Sequence, residues 1–317
     1  MPPTVLIARA LLPAGLQRLE RRAEVRVGGP DVDRASLLEL APRATAIVAD
    51  PTVPVDAELL DAAGDSLRVV ANFAVGYDNV DLGACRARGV MVTNTPGVLT
   101  NATAELALAL TLAAARRINE TEGELRAGRW GGWDPGEYLG EELSGATFAV
   151  VGLGRVGRRY AELVRPLAER IVYVAQSAKR DAKRELGAER LHLDDALAAA
   201  EVVSIHAPGG EATRHLIGAE QLALMKPTAI LVNTSRGTLV DSEALAEALR
   251  GRRIAAAGLD VYEHEPSVPA ALLAAPRCVL LPHIGSATTR ARNAMASLVA
   301  DNVLAVLDGR EPPNRVA

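Results

Sequence analysis

Cysteine is scarce in this sequence, and it has no long run of basic residues. The 317 residues include two cysteines, Cys85 and Cys278, and neither their number nor their spacing suggests a disulfide framework or a metal site. We therefore expect reduced thiols in a cytoplasmic protein with no bound metal. The formal net charge is −4, and without a basic run nucleic acid is not an expected partner.

Long apolar segments are also missing. Residues Met1–Arg9 have no basic start followed by a sufficiently long apolar stretch, so we expect no signal peptide. The most apolar helical stretch, Leu106–Ala115, is too short to cross a bilayer. The sequence therefore predicts no membrane partner.

Short apolar runs alternate along the chain with helical stretches rich in alanine, leucine and arginine. Hydrophobic residues make up 49% of the sequence, which is enough for a large core. The predicted strands of the first part are Val5–Ile7, Ala46–Val48, Val69–Asn72 and Val90–Thr93. Those of the second part are Thr147–Val151, Ile171–Ala175, Val202–His206, Thr228–Asn233, Ala255–Asp260 and Cys278–Leu281. This alternation is typical of α/β domains built on parallel sheets.

Two long helices and one irregular segment complete the predicted organisation. One helix is expected from about Asn101 to Arg126, and the last from about Arg290 to Leu307. The last helix is followed by no clear strand, so it needs an earlier part of the chain to pack against. Between the two parts lies the irregular stretch Gly128–Gly136, which contains both tryptophans, Trp130 and Trp133.

A glycine motif follows the first strand of the second part. Gly152-Leu153-Gly154-Arg155-Val156-Gly157 connects an apolar strand to the helical stretch Arg158–Ala168, which has an apolar face. In that context the first glycine allows a tight turn, the second lets a pyrophosphate approach the backbone, and the third lets the helix pack on the strand. The N–H groups that begin the helix are free to bind phosphate. The motif predicts a dinucleotide site.

Three later strands end in polar segments that suit the reduction of a keto acid. The segments are Val232–Gly237, Gly258–Pro266 and Leu281–Ser286, and they offer an arginine, carboxylates and histidines. Arginine binds a carboxylate with two hydrogen bonds, and histidine can deliver a proton near neutral pH. A carboxylate beside that histidine favours its protonated form. Spacing alone leaves open whether Glu263 or Glu265, and whether His264 or His283, belongs to this set.

Together these segments resemble the D-isomer-specific 2-hydroxy acid dehydrogenase family over nearly the whole chain. The resemblance also rests on Asn72–Asn79, Leu99–Glu105 and the glycine motif. The stretch Arg126–Pro135 and the ending Pro312–Arg315 are most similar to the glyoxylate/hydroxypyruvate reductase branch. The resemblance implies reduction of small 2-keto acids by a nicotinamide cofactor. Alternatives within the family act on phosphoglycerate, D-lactate or phosphite, and a different alternative is a dinucleotide-binding corepressor.

The resemblance also implies roles for individual residues. Arg236 binds the substrate, Glu265 pairs with His283, and His283 is the acid–base. Val75 and Gly76 offer backbone N–H groups to the substrate carboxylate, and Leu99 belongs to the same substrate site. The residues implied to bind the cofactor are Thr103, Gly152, Leu153, Gly154, Arg155, Val156, Gly157, Ala175, Gln176, Ser177, Lys179, His206, Pro208, Thr213, Thr234, Ser235, Asp260, His283 and Gly285.

The family fold implies two Rossmann-like, doubly wound parallel-sheet domains with the active site in the cleft. We predict a substrate domain from residues 1–97 and 287–317, and a dinucleotide domain from residues 98–286. This arrangement gives the last helix a place to pack. A helix-and-loop arm around Trp130 and Trp133 contacts a second subunit in the family, which implies a homodimer.

The end of the second strand of the dinucleotide domain predicts which cofactor is preferred. An acid placed there accepts hydrogen bonds from the ribose 2′-OH of NADH and repels a 2′-phosphate. The segment Ala175–Arg180 has no carboxylate before Asp181 and offers Ser177 and Lys179 instead. Family members that use NADP often have an arginine where Gln176 stands. We expect NADPH to be preferred, with NADH also accepted.

Overall fold

A computed structural model describes residues 2–317 and divides them into two compact units. The first unit contains the residues up to Leu99 together with Ser286–Ala317, and the second contains Thr100–Gly285. Each unit is an α/β domain built on one parallel sheet. The predicted fold class of two Rossmann-like parallel-sheet domains is confirmed.

The first unit has a five-stranded sheet. Its strands are β1 (Thr4–Ile7), β2 (Glu24–Val27), β3 (Ala46–Ala49), β4 (Val69–Asn72) and β5 (Met91–Thr93). Their order across the sheet is β2-β1-β3-β4-β5, and all neighbours are parallel. The middle strands β1, β3 and β4 are buried on both faces, as expected for a parallel sheet covered by helices.

Five helices cover this sheet, numbered here along the whole chain. They are α1 (Pro13–Glu20), α2 (Arg34–Leu40), α3 (Ala57–Ala63), α4 (Leu82–Ala87) and α13 (Thr289–Leu307). Aspartates before three of them, Asp33, Asp56 and Asp81, accept the N–H of the third helical residue, which stabilises each helix start. The last helix packs on α1 and β4, so its apolar side is buried against the first part of the chain.

The second unit has a seven-stranded sheet. Its strands are β6 (Ala146–Val151), β7 (Ala168–Val174), β8 (Glu189–Arg190), β9 (Val202–Ile205), β10 (Ile230–Asn233), β11 (Ala256–Leu259) and β12 (Cys278–Leu280). The order is β12-β11-β10-β9-β6-β7-β8, again all parallel. The direction of winding changes between β6 and β9. Ligands of such sheets bind beyond the carboxyl ends of the strands at this switch point.

Helices lie along both faces of the second sheet. They are α5 (Thr100–Ala115), α6 (Ile118–Arg126), α7 (Arg155–Val164), α8 (Arg180–Leu186), α9 (Leu193–Ala199), α10 (Ala219–Leu224), α11 (Ser242–Arg250) and α12 (Ala270–Leu273). Two apolar clusters, one on each face, form the core of the unit. Within residues 2–317, none of the helices combines the length and apolar character needed to cross a bilayer.

Three details differ from the sequence-based expectations. The helix predicted from 101 to 126 is two helices, because Arg117 adopts a left-handed conformation with φ 54° and the carbonyl of Ala115 accepts the N–H of Glu141. The exposed edge strands β2 and β8 were not predicted. The helix after the glycine motif ends at Val164, since Ala168 already begins β7.

Candidate active site

The glycine motif lies at the switch point, between the end of β6 and the start of α7. Gly152 has φ 99°, and a Cβ there would lie 2.5 Å from the backbone nitrogen of Ala207. A Cβ on Gly157 would lie 2.1 Å from the carbonyl oxygen of Gly152. Both positions therefore require glycine, the first for the turn past the end of β9 and the second for close packing of helix on loop.

Gly154 differs from its two neighbours in the motif. A Cβ built on it meets no atom within 4 Å, and it caps α7 without a side-chain hydrogen bond. The first N–H groups of this ten-residue helix therefore have no side-chain cap. This is the surface that a pyrophosphate needs, because it combines backbone donors with the positive end of the helix dipole. The loop fits a dinucleotide.

The predicted adenosine-side residues follow β7 directly. Gln176, Ser177 and Lys179 are exposed, and Ala175 is partly buried. The hydroxyl of Tyr173 accepts the N–H of Lys179 at 2.9 Å, and the Lys179 ammonium lies 3.5 Å from the Ser177 hydroxyl. The strand end therefore carries a hydroxyl and a cation, with no carboxylate before Asp181.

His206 follows β9 beside the glycine motif. Its Nε2 lies 2.9 Å from the Ser204 hydroxyl, and its ring is 5.1 Å from the ring of Tyr160. Burial lowers the pKa of His206 to about 3, so the ring is neutral. Further along this loop, the hydroxyl of Thr213 donates to the carbonyl of Pro208 at 2.9 Å. These contacts give the loop after β9 a defined shape.

His283 and Glu265 form a hydrogen-bonded pair. The distance between His283 Nδ1 and Glu265 Oε2 is 2.6 Å, and the two side chains are 35% and 24% exposed. Because an ionised carboxylate only accepts hydrogen bonds, Nδ1 carries the hydrogen and Nε2 is left for another group. The pair is therefore arranged as an acid–base with an orienting carboxylate.

The surroundings of Glu265 keep it ionised. Burial raises the pKa of Glu265, but hydrogen bonds from His283 and from the N–H of Tyr262, together with the charges of His283 and Arg236, outweigh burial and hold this pKa below its usual value. The Tyr262 N–H lies 2.9 Å from Oε1. One carboxylate oxygen is thus anchored to the backbone, and the other faces the imidazole.

Asp260 holds the turn that carries His283. Its buried carboxylate accepts the N–H of Ile284 and the N–H of Gly285, each at 2.7 Å. The Thr103 hydroxyl donates to the carbonyl of Gly285 at 3.1 Å. Burial raises the pKa of Asp260 to about 6, although the two N–H groups and the charge of His283 act in the opposite direction. His283 itself has φ 54°, a conformation that non-glycine residues adopt rarely.

Arg236 lies in the turn after β10, which is fixed from both sides. The buried Asn233 amide donates to the carbonyl of Arg236 at 2.8 Å and accepts the N–H of Ser235 at 3.0 Å. A Cβ on Gly237 would lie 1.9 Å from the carbonyl carbon of Tyr262. Only glycine therefore lets this turn lie directly on the loop that continues to Glu265. The Ser235 hydroxyl completes the turn by donating to Ala207.

The alternatives that spacing left open are separated in space. Glu263 forms a salt bridge with Arg214 and lies 3.2 Å from His215, away from His283, while His264 is exposed. Of the four candidates, Glu265 and His283 are therefore the two that meet.

Thr234 was predicted to contact the cofactor. Its buried hydroxyl has no hydrogen-bond partner among residues 2–317.

In the first unit, Val75 and Gly76 lie in the loop after β4. The Asn72 amide donates to the carbonyl of Gly76, and the Asn94 amide donates to the carbonyl of Val75, both at 2.8 Å. Val75 is 38% exposed, so the loop is accessible. Sequence reasoning missed Asn94, although a polar residue directly after a buried strand was a usable signal. Leu99 is partly buried in the apolar cluster beneath α13.

Comparisons with known proteins agree on one family. The family model described as D-isomer specific 2-hydroxyacid dehydrogenase, NAD binding domain, matches residues 108–285. The glyoxylate reductase of Thermococcus litoralis is 44% identical over 322 residues, which cover 100% of this chain and 97% of that protein.

Solved structures are similar over the whole chain as well. A Thermus thermophilus protein has a TM-score of 0.92 at 45% identity, covering 99% of this chain and 100% of its own. The NADPH-dependent glyoxylate/hydroxypyruvate reductase of Sinorhizobium meliloti, solved with NADP and malonate, has a TM-score of 0.87 at 35% identity, covering 100% and 97%. This chain therefore belongs to the D-isomer-specific 2-hydroxyacid dehydrogenase family.

Proposed function

We propose that the protein reduces small 2-keto acids, glyoxylate and hydroxypyruvate first, with NADPH preferred over NADH. The observation that carries the proposal is the His283–Glu265 pair, which leaves Nε2 of the imidazole for a substrate oxygen. The Arg236 turn lies against the same loop through Gly237. The relatives named glyoxylate reductase support the choice of substrate.

In this proposal each catalytic side chain has one task. Arg236 binds the substrate carboxylate and polarises the neighbouring carbonyl with its parallel N–H donors. His283 donates a proton from Nε2 to the carbonyl oxygen, and Glu265 stabilises the imidazolium before that transfer. The bound nicotinamide supplies the hydride for the carbonyl carbon. Asp260 keeps the turn that carries His283 in place through Ile284 and Gly285.

A second carboxylate-binding element is proposed in the first unit. The carbonyls of Val75 and Gly76 are both engaged by asparagine amides, which orients the peptides of this loop. Their N–H groups are the proposed donors to the substrate carboxylate, and Leu99 belongs to the same substrate site. Two backbone donors suit a small anion, because they demand close approach and tolerate little bulk.

The proposed cofactor contacts come from the motif Gly152–Gly157 for the pyrophosphate and from the end of β7 for the adenosine. With no carboxylate before Asp181, a 2′-phosphate meets no repulsion there. The Sinorhizobium meliloti relative is NADPH-dependent and was solved with NADP. Thr103, Thr234, Ser235 and the loop after β9, with His206, Pro208 and Thr213, are assigned to the same cofactor.

The proposal extends to assembly as a homodimer. Several large apolar side chains of α6 and the following arm are exposed: Ile118 51%, Leu125 57%, Trp130 57%, Trp133 85% and Leu139 64%. An apolar surface of this kind is typical of an interaction site rather than of a monomer surface. A second copy of the chain is the proposed occupant.

The substrate proposal is tested by steady-state reduction of a panel of keto acids with each cofactor. The highest kcat/KM is expected for glyoxylate or hydroxypyruvate with NADPH. A higher value for phenylpyruvate or phosphohydroxypyruvate would contradict the substrate, and a higher value with NADH would contradict the cofactor preference. His283→Ala should lower kcat by roughly 10²–10⁴-fold, whereas the matched control His264→Ala, at an exposed neighbouring histidine, should keep its rate.

A further inference from the structure

Arg190 reaches the end of β7 from the neighbouring strand. It lies on β8, in register with Tyr173. Its Nε donates to the carbonyl of Ala175 at 3.0 Å, and its Nη2 donates to the carbonyl of Gln176 at 2.9 Å. One guanidinium thus holds two successive peptides at the position where the cofactor ribose is expected.

Most of the hydrogen-bonding capacity of this guanidinium is left over. A guanidinium has five N–H donors in a fixed plane, and the two carbonyls use two of them. Three remain available at the exposed edge of the sheet. An arginine of this kind can bind a phosphate with parallel N–H bonds while it stays anchored to the backbone.

The positive charge at this strand end is not neutralised. Among residues 2–317, no carboxylate forms a salt bridge with Arg190, Lys179 or Arg180. The nearest acids in the chain are already paired, Glu189 with Arg170 and Asp181 with Arg184. The loop from Ala175 to Ala178 contains no cation of its own, so the guanidinium next to it comes from β8.

We propose that Arg190 is a specificity-determining residue that binds the 2′-phosphate of NADPH. It shapes the Ala175–Gln176 turn with two N–H groups and presents the others to the phosphate, beside the Ser177 hydroxyl and the Lys179 ammonium. This inference rests on the proposed use of NADPH. Arg190 lies on β8, outside the segment Ala175–Arg180 from which the preference for NADPH was predicted. The proposal gives the β7–β8 pair of strands, in the sheet of the second unit, a role in the choice of cofactor.

The test measures binding without catalysis. Calorimetric titration compares adenosine 2′,5′-bisphosphate with adenosine 5′-monophosphate, which lacks the 2′-phosphate. Wild-type protein should bind the bisphosphate at least tenfold more tightly. In Arg190→Met this advantage should fall to about twofold or less, because only the bisphosphate affinity is lost. The matched control Arg170→Met removes the same charge from β7 but breaks only the Glu189 salt bridge, and it should keep the advantage.

Two outcomes would overturn the proposal. If Arg190→Met weakens both nucleotides equally, the arginine only shapes the turn; if it weakens neither, it has no part in binding. A second readout is the ratio of kcat/KM for NADPH over NADH, which should fall in Arg190→Met and stay constant in Arg170→Met. The titrations need no keto acid, so a protein that fails to reduce glyoxylate would contradict the proposed function and leave this test valid.

Discussion

At the scale of single residues, the orientation of the His283 ring is set by contacts on two sides. The Glu265 carboxylate accepts the hydrogen bond that His283 Nδ1 donates. The Asp260 carboxylate accepts the N–H groups of the next two residues, Ile284 and Gly285. The imidazole is therefore held in one orientation, with Nδ1 facing the carboxylate. Because the pKa of Glu265 lies below its usual value, this anion persists throughout the neutral range.

The first prediction concerns Glu265→Gln. Reduction needs a protonated histidine, and the loss of the carboxylate disfavours that form. The alkaline limb of kcat/KM for glyoxylate reduction should therefore move to lower pH. Oxidation of glycolate needs the neutral ring, so its acid limb should move in the same direction.

The measurement is a pH profile of both directions for Glu265→Gln and for Glu263→Gln. Glu263 lies two residues away and contacts Arg214 and His215 instead, so its variant should leave the limbs where they are. Unchanged limbs in Glu265→Gln would remove the carboxylate from the proposed acid–base pair.

At the scale of elements, a chain of amides connects the C-terminal segment to the Val75 loop. The buried Asn302 of α13 accepts the N–H of Asn314 at 3.0 Å and donates to the carbonyl of Asn94 at 3.2 Å. Asn94 in turn donates to the carbonyl of Val75. The last helix therefore supports the loop that is proposed to bind the substrate carboxylate.

The second prediction follows from the last link of that chain. Asn94→Leu keeps the size of the side chain but removes its donor, so the Val75 peptide is free to turn. We expect KM for glyoxylate to rise about tenfold, equivalent to about 1.4 kcal/mol, with the Kd for NADPH unchanged. The control Asn302→Leu removes a buried amide one link further away. It should lower the free energy of unfolding by about 1–3 kcal/mol and raise KM less. A KM in Asn94→Leu equal to wild type would contradict the role of the loop.

At the scale of the whole molecule, the exposed arm after α6 is the main apolar surface to explain. Leu139 and Leu273 are each 64% exposed, but Leu139 belongs to the same arm as Trp130 and Trp133, whereas Leu273 lies on α12. The third prediction is that Leu139→Arg turns a dimer into a monomer while Leu273→Arg does not, because a buried unpaired charge opposes association. Light scattering behind a sizing column measures both masses. A monomeric wild-type protein would contradict the homodimer.

The sequence alone determined the α/β class, the glycine motif and the three strand ends with polar residues. These features are local. The periodicity of strands and helices and the order strand–glycine motif–helix depend only on residues that are close together in the sequence. The edge strands β2 and β8 were not predicted because Glu24–Val27 and Glu189–Arg190 are short and charged, as exposed edges commonly are. The helix break at Arg117 was not predicted for a different reason. The carbonyl of Ala115 accepts the N–H of Glu141, which is distant in the sequence.

Spacing alone could not decide which side chains meet, because that depends on the tertiary structure. It left two glutamates and two histidines as candidates; the family resemblance implied Glu265 and His283, and the fold places these two within hydrogen-bond distance. Arg190 was invisible in the sequence for the same reason, because it is 14 residues from Gln176 along the chain and joins it through strand pairing. Local patterns specify elements, whereas hydrogen bonds between distant residues depend on how those elements pack.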